Sequence, residues 1–547
     1  MISSVIADKL HLAYQFARAG VLKPSRPDRT LRAALGLHHW GPTLAAGYLG
    51  AAARYPDAAA VIDELGTVTF AEIESDTNAI ARGLAGFGVR EGDGVAVMCR
   101  NHRWFVEGTV ACSKLGANVV YMNTSFAGPQ VSDVIEREAP IALIYDQEFE
   151  SVIGEAASGR LSVLAWRDRP SGAAHPTLQE FAVTRARGPV MPPSEPGRTV
   201  ILTSGTTGSP KGANRANPSS MAPAAALLSA IPLHAREKTV IAAPLFHSWG
   251  FAHMALGTAL ASTLVLRRRF DPVDTLHAIA ENEATALIVV PVMLQRILDL
   301  GPDVIRSIDT SSLKVIAASG SALPGPLAQR VMDMFGDTLY NLYGSTEVAW
   351  ASIASPRDLR AAPGTAGRPP RGTVVKILDH DAEPVATGET GTIFVGSEML
   401  FEGYTGGGDK ARVGALMSTG DVGHLDSEGR LFVDGRDDEM IVSGGENVFP
   451  GEIEDLLAGV PGVAEVSVIG VSDDEFGQRL HAYAVLDAGA TVSEDDLKDH
   501  VRAHLARFKV PRAITFVSEL PRNATGKVLK RELTARHADQ RLGSRPA

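Results

Sequence analysis

The chain is nearly without cysteine: Cys99 and Cys112 are the only two in 547 residues. That excludes a disulfide framework and a cysteine-built metal site, and it fits a reducing, cytoplasmic setting. Basic charge is in deficit, 52 Lys and Arg against 63 Asp and Glu for a net of -11, so a nucleic-acid-coating surface is not expected. Long apolar runs are missing as well. Asp8 and Lys9 break any signal-peptide layout, and Gly250 to Leu266, the most apolar later stretch, carries His253 and several small residues. It reads as a buried helix running into a strand, not as a membrane span. The first two dozen residues carry an amphipathic pattern (Val5, Leu10, Leu12, Tyr14, Phe16). It leaves peripheral membrane contact open, with packing on the body the favoured role.

What is present is an ordinary globular composition, 45% hydrophobic and 21% charged, at a length that calls for two or more domains. Residues 24–56 are rich in Pro, Gly and Ala without a clear period and read as an irregular lead-in. From Ala59 strands and helices alternate: a hairpin over 60–70, a helix to Phe87, then strands at 94–98, 118–122, 141–145 and 161–166. A second alternating block has strands at 239–242, 262–266, 286–290 and 313–317. Such alternation predicts parallel sheets covered by helices, with ligands at the carboxyl ends of the strands. The turns 203–212, 244–250, 291–294 and 319–323 are therefore expected to converge on one pocket. Residues 364–434 change to short strands and turns, and the last 110 or so form a separate α+β block ending in an Arg-rich tail expected to fray.

Five stretches carry chemistry. Thr203 to Gly212 reads TSGTTGSPKG after the β-branched run Thr199 to Leu202. Its glycines let backbone N–H groups form an anion nest, its hydroxyls add donors and Lys211 adds charge. The spacing does not meet the Walker pattern, and a plain Gly/Ser/Thr linker is the competing reading. Asn341 to Glu347 (NLYGSTE) presents an aromatic ring, hydroxyls and a carboxylate on one glycine turn, suited to a purine and a phosphate-borne Mg²⁺. Ser418-Thr419-Gly420-Asp421, with Gly435-Arg436 fifteen residues on, places a carboxylate on a Gly turn, suited to paired ribose hydroxyls. Arg436 to Asn447 runs from charged residues into Gly444-Gly445, suggesting a hinge and a mobile loop. Pro521 to Lys527 (PRNATGK) sets a lysine at a turn tip.

In this order and at these separations, the five stretches resemble the adenylate-forming superfamily of acyl-CoA synthetases, adenylation domains and luciferases over roughly residues 45 to 535. The fold that follows is α/β: a large N-terminal domain (1–437) of two α/β subdomains plus a small β-barrel-like segment, then a small mobile α+β C-terminal domain (438–547). The resemblance implies ATP, Mg²⁺ and CoA as partners of a small carboxylic acid. Thr203, Ser204, Gly205, Thr206, Thr207, Gly208 and Lys211 would hold the β- and γ-phosphates. Glu347, with Thr206, would bind Mg²⁺, and Thr346 the α-phosphate. Tyr343 and Ser319-Gly320-Ser321-Ala322 would sandwich adenine, with Asn341 at its amino group and Gly344 beside it. Asp421 and Arg436 would hold the ribose. Lys527 would reach the α-phosphate and the acid, Asp438 would be the hinge, and Ser443, Gly444, Gly445 and Glu446 would line the CoA tunnel after domain rotation. One departure stands out: Asp438-Glu439-Met440 replaces the Lys-Asp-Met of many relatives, adding negative charge at the hinge.

Amino-acid-activating relatives place an Asp soon after the Phe that here is Phe246. This chain has His247-Ser248-Trp249-Gly250, the acyl- and aryl-CoA pattern, although a buried structural histidine is the competing reading of His247. With Trp249, Val290, Val292, Met293 and Gly344-Ser345 it makes an apolar acid pocket with few polar anchors. The expected substrate is a medium- to long-chain fatty acid, with an aryl acid second. An acyl-AMP ligase loading a carrier protein is a further alternative, and monomer and homodimer both stay open.

Overall fold

Where the sequence alternates strand and helix, the chain lays down two large, mainly parallel sheets. The computed structural model describes residues 2–23, 25–168, 175–203, 210–215, 218, 220–443, 446–473, 477–523 and 526–543. The eight-stranded sheet runs Ser352–Ala354, Leu339–Tyr343, Val315–Ala318, Ala286–Val289, Lys238–Ile241, Thr263–Leu266, Ala59–Asp63, Gly66–Thr69. The seven-stranded one runs Gly403–Tyr404, Lys211–Arg215, Thr199–Thr203, Asn118–Tyr121, Gly94–Met98, Ala142–Tyr145, Leu161–Leu164. The interior strands are short and buried along their length, Ala286–Val289 for example, as parallel strands covered on both faces must be. One continuous core joins the two sheets, with Phe105 and Val106 from the helix Arg103–Leu115 packed among Val97, Ile144, Trp249 and Ile288.

A five-stranded antiparallel sheet follows (Val374–Leu378, Gly391–Gly396, Leu416–Leu425, with Arg412–Val413 and Leu431–Arg436 on the last). The strand Leu431–Arg436 is the end of this sheet, and Ile441–Ser443 already belongs to the C-terminal one, so the chain changes body over 437–440. The C-terminal sheet pairs Val463–Asp473 with Gly477–Leu486 and carries Ala513–Phe516 in parallel.

Three expectations need correction. The irregular lead-in is helical: after α1 (Ile2–Arg18) come α2 (Pro27–Trp40) and α3 (Leu44–Arg54). Pro27 sits in the first turn of α2, where its missing N–H costs nothing. Gly36 and Gly47 mark close packing rather than breaks. A Cβ on Gly36 would meet Leu49 Cδ2 at 2.3 Å, and one on Gly47 would meet Thr258 Oγ1 at 2.1 Å. Asp421 lies inside the long strand Leu416–Leu425, not on a turn. Gly420 (φ 81°) and a register break at Val422/Gly423 bend that strand locally. The C-terminal stretch is helical over Lys530–Gly543, held by Leu533, which is buried against Ile469 and Tyr483, while residues 544–547 of the expected frayed tail lie outside the described residues.

Candidate active site

A cleft of about 1790 Å³ opens at the carboxyl ends of the eight-stranded sheet, beneath the C-terminal domain. The four expected turns all reach it, through Pro210 and Lys211, Pro244 and His247 to Trp249, Pro291 and Val292, and Ser319 to Leu323. Ser204 to Ser209 lie outside the described residues, as do Gly444, Gly445, Ala524 and Thr525, and so do the side chains of Thr203, Asp438 and Glu446.

The nucleotide end is built on neighbouring strands. Leu339–Tyr343 delivers Asn341 and Tyr343, and it pairs with Val315–Ala318, whose end leads into Ser319-Gly320. Gly320 holds φ 98° with a Cβ position only 3.3 Å from Val290 Cγ1, so a side chain there would be strained and crowded. Gly344 is required more strictly, because a Cβ would stand 2.2 Å from the Ala349 carbonyl. Asn341 Oδ1 is buried in the cleft with no hydrogen-bond partner. A buried acceptor without a donor is costly, and an exocyclic adenine amino group is the donor that this position suits.

Asp421 and Arg436 are directly opposed on antiparallel strands, Arg436 Nη1 lying 4.0 Å from Asp421 Oδ1. Tyr343 Oη donates to Asp421 Oδ2 at 2.5 Å. Burial pushes the Asp421 carboxyl upward, against the lowering effect of that hydrogen bond and of Arg436 and Lys527. Paired donors such as ribose hydroxyls would favour its ionised form.

Glu347 is buried, with its Oε1 accepting from Tyr404 Oη at 2.7 Å. The Lys211 ammonium lies over the Tyr404 ring, 5.4 Å from its centre. Arg215 Nη2 donates to the Thr346 carbonyl at 2.5 Å, and its charge faces Glu347. Burial lowers the Arg215 pKa to about 10, so it stays a cation at neutral pH. Thr346 Oγ1 accepts from Ser248 Oγ at 3.4 Å. A carboxylate among hydroxyls offers hard oxygen donors, which suits a Mg²⁺ ion carried on phosphates. Arg215 and Tyr404 were not among the residues expected from sequence. Arg215 follows Lys211 of the phosphate loop by four residues in sequence, whereas Tyr404 reaches it only through strand pairing.

At the other end, His247 precedes the helix Ser248–Leu260. Its Nε2 is buried and unpartnered, and burial lowers its pKa to about 4, so it is neutral near pH 7. Trp249 Nε1 donates to the Val289 carbonyl at 3.1 Å, which fixes the indole. Phe251, Ala252, Val292 and Trp350 complete an apolar wall, and the lining continues along the helix through Ala255 and Ala259 to α3.

Lys527 comes from the C-terminal domain. The turn that holds it is closed by Asn523, whose Oδ1 accepts from Lys527 N–H at 2.9 Å. Gly526 rests against Val292 of the acid wall, with a Cβ position 2.3 Å from Val292 Cγ1. Lys527 therefore lines the same cleft as Asp421 and Glu347. Ser443 does not: it is buried in the C-terminal sheet, paired opposite Glu446. Among the described residues a separate buried cluster joins Cys99, His102 and Asp146. There His102 Nε2 donates to Asp146 Oδ1 at 2.8 Å while Nδ1 accepts from Phe105 N–H, so both ring nitrogens are satisfied and the cluster reads as a structural clamp.

Comparison with known proteins identifies the family. The AMP-binding enzyme family matches residues 50–405, and the AMP-binding enzyme C-terminal domain matches residues 452–527. A feruloyl-CoA synthase of Amycolatopsis is 33% identical over 488 residues, covering 88% of this chain and 96% of that one. An indoleacetate–CoA ligase of Aromatoleum aromaticum is 32% identical over 486 residues, covering 86% and 94%. The o-succinylbenzoate CoA synthetase of Bacillus subtilis, solved with its acyl-adenylate intermediate, superposes with a TM-score of 0.77 at 29% identity, covering 89% and 97%.

Proposed function

The chain belongs to the family of AMP-binding enzymes, and on that premise we propose that it is an ATP-dependent, AMP-forming acid–CoA ligase. The observation that carries this reading is the meeting of Lys527, Asp421 and Glu347 in one cleft with an apolar acid pocket at its far end. A carboxylate is a poor acylating agent. Attack of its oxygen on the α-phosphorus of ATP, with release of pyrophosphate, turns that oxygen into part of a good leaving group. A thiol then attacks the acyl carbon and releases AMP. Negative charge concentrates in the first transition state, so fixed cations and N–H dipoles supply most of the acceleration.

In this assignment Lys211 and the loop 203–208 hold the departing phosphates, while Arg215 and Thr346 flank the α-phosphate. Glu347, oriented by Tyr404, would hold Mg²⁺ with Thr206. The ion supplies charge neutralisation on the phosphates. Asn341, Tyr343, Gly344 and the turn 319–322 bind adenine, Asp421 and Arg436 bind ribose, and Lys527 bridges the α-phosphate and the acid. Residues 1–437 and 438–547 act as the two domains. Rotation about Asp438 would withdraw Lys527 and bring Ser443 to Glu446 to the pantetheine arm of CoA.

For the acid, an aromatic carboxylate takes first place over a fatty acid. Relatives at 30–33% identity carry feruloyl, indoleacetate and succinylbenzoate in their names, and Trp249, Phe251 and Trp350 offer flat apolar surfaces to a ring. One observation keeps a long-chain acid as second reading. The cleft lining follows the helix from Ser248 to Ala259, about 16 Å at a helical rise of about 1.5 Å per residue. The deciding experiment measures CoA-thioester formation and pyrophosphate release over matched series of aryl and straight-chain acids. No thioester with any acid of either series would end the ligase reading, and adenylate without thioester would move the acceptor from CoA to a carrier protein.

A further inference from the structure

The family match begins at residue 50, so α1 and α2 lie outside it. These two helices and their link hold an unusual share of the exposed apolar surface. Leu10 (65% exposed), Tyr14 (62%), Leu22 (58%), Leu31 (60%), Leu35 (45%) and Leu37 (46%) are six of the fifteen exposed large hydrophobic side chains among the described residues. Leu10 and Tyr14 are one turn apart on α1, and Leu31 and Leu35 one turn apart on α2, so each helix turns an apolar stripe outward. Each also buries a different one: Phe16 of α1 and Trp40 of α2 are inside. Helices that already pack on the body and still expose leucines have a second face to cover.

The charge of this region is opposite to that of the rest. Residues 1–40 hold six Lys and Arg against two Asp and Glu, a balance of +4 within a chain of -11, which leaves -15 for the remainder. Lys9, Lys23, Arg26 and Arg32 are exposed. Asp28 is paired with Arg26 at 3.2 Å and Arg32 at 3.1 Å, and the positive excess remains. Leucines and an exposed tyrosine flanked by basic side chains match an anionic lipid headgroup layer over its acyl chains.

Leu22 and Leu37 belong both to this exposed surface and to the lining of the cleft. Through these two side chains the cleft lining reaches the surface as an apolar mouth between the α1–α2 link and α2. We propose that α1 and α2 form a lipid-docking face that seats the protein on an anionic bilayer surface, with the Leu22–Leu37 mouth turned toward the lipid. No helix among the described residues is long and apolar enough to cross a membrane, so the contact is interfacial. Docking does not rest on the ligase reading; only entry of an apolar acid through that mouth does.

The test uses the full-length protein in flotation with vesicles of phosphatidylcholine alone and of phosphatidylcholine and phosphatidylglycerol in equal parts. The expected result is co-flotation with the anionic vesicles only, weakened by salt. The triple variant Leu10→Ser/Leu31→Ser/Leu35→Ser, none of whose positions lines the cleft, should lose about tenfold or more in partition. Its thermal midpoint and nucleotide binding should stay those of the parent, which separates lost docking from lost folding. Absence of vesicle binding at low salt, or equal binding by the variant, overturns the proposal. So does light scattering that shows a parent dimer split by the variant, since the face would then be an interface between copies. Ligase activity is read separately, so its absence in a protein that floats leaves docking standing and removes only the acid-entry role.

Discussion

Lys527 Nζ lies 3.8 Å from Glu439 Oε1, while the other oxygen of Glu439 faces Lys530 Nζ at 3.4 Å. Lys530 in turn reaches Glu454 at 3.0 Å. Burial alone would lower the Lys530 pKa, but the two carboxylates outweigh it and hold it raised. Glu439, the residue after Asp438, is therefore a tether for the lysine loop. Glu439→Gln should weaken it. Partly exposed ion pairs are worth about 0.2–1 kcal/mol, so acyl-adenylate formation is expected to slow by about 1.4- to fivefold, with thioester formation from supplied acyl-AMP unchanged or faster. Single-turnover assays of the two half-reactions check this, and a slower second step would contradict it.

Lys527→Ala removes a cation that the C-terminal domain sends into the cleft. Loss of a group that meets charge developing in the transition state costs about 10²- to 10³-fold. That loss should fall on ATP–pyrophosphate exchange and spare thioester formation from ready-made acyl-AMP. Equal losses in both would refute the two-pose assignment.

Tyr404→Phe keeps the ring beneath Lys211 and deletes only the hydroxyl that donates to Glu347. A hydrogen bond to a charged group is worth about 1.5–3 kcal/mol, so kcat/KM for MgATP should drop by about tenfold or more. The melting midpoint should hold. An unchanged MgATP titration would show that Glu347 needs no such orientation.

Ala259→Phe separates the two acid readings. It fills the far end of the channel along Ser248–Leu260 without touching His247 or Trp249. If long acids use that channel, their kcat/KM should fall by about tenfold or more, while compact aryl acids stay within about twofold of the parent. Equal effects on both series would show that the channel is not an acid site.

His253 sets an acid limit on stability. It is 3% exposed, set edge-on to Trp249 at 4.3 Å, and burial lowers its pKa to about 3. The folded protein thus binds its proton more weakly than the unfolded chain, where the pKa is near 6.5. Its contribution is complete above about pH 6.5 and is lost as pH falls from there toward 3. His253→Met should remove about 1.4 kcal/mol per pH unit from the acid-side slope. Denaturant unfolding at pH 7 and pH 5 measures it, and parallel slopes in parent and variant would refute it.

The two large sheets were legible because their strands are short apolar runs that end in Gly- or Pro-bearing turns. The helix α2 was not: Pro27 and Gly36 look like breakers until the first turn and the Leu49 contact are seen. Tyr404 and Arg215 were hidden for another reason. They reach one site because Gly403–Tyr404 adds antiparallel to Lys211–Arg215, placing Tyr404 opposite Ala213. No local pattern announces a pairing between segments so far apart in the chain, and the partner of Glu347 is visible only after it forms.

The cross-strand pair of Asp421 and Arg436 has a mechanical consequence. Arg436 is the last residue of its strand, and Asp437 to Glu439 follow it without slack. Under the proposed rotation about Asp438, a ribose held by this pair would clamp the fixed post beside which the smaller domain would swing. Nucleotide occupancy would then stiffen one side of the pivot, so that an empty site would permit wobble and a filled one would enforce a defined arc.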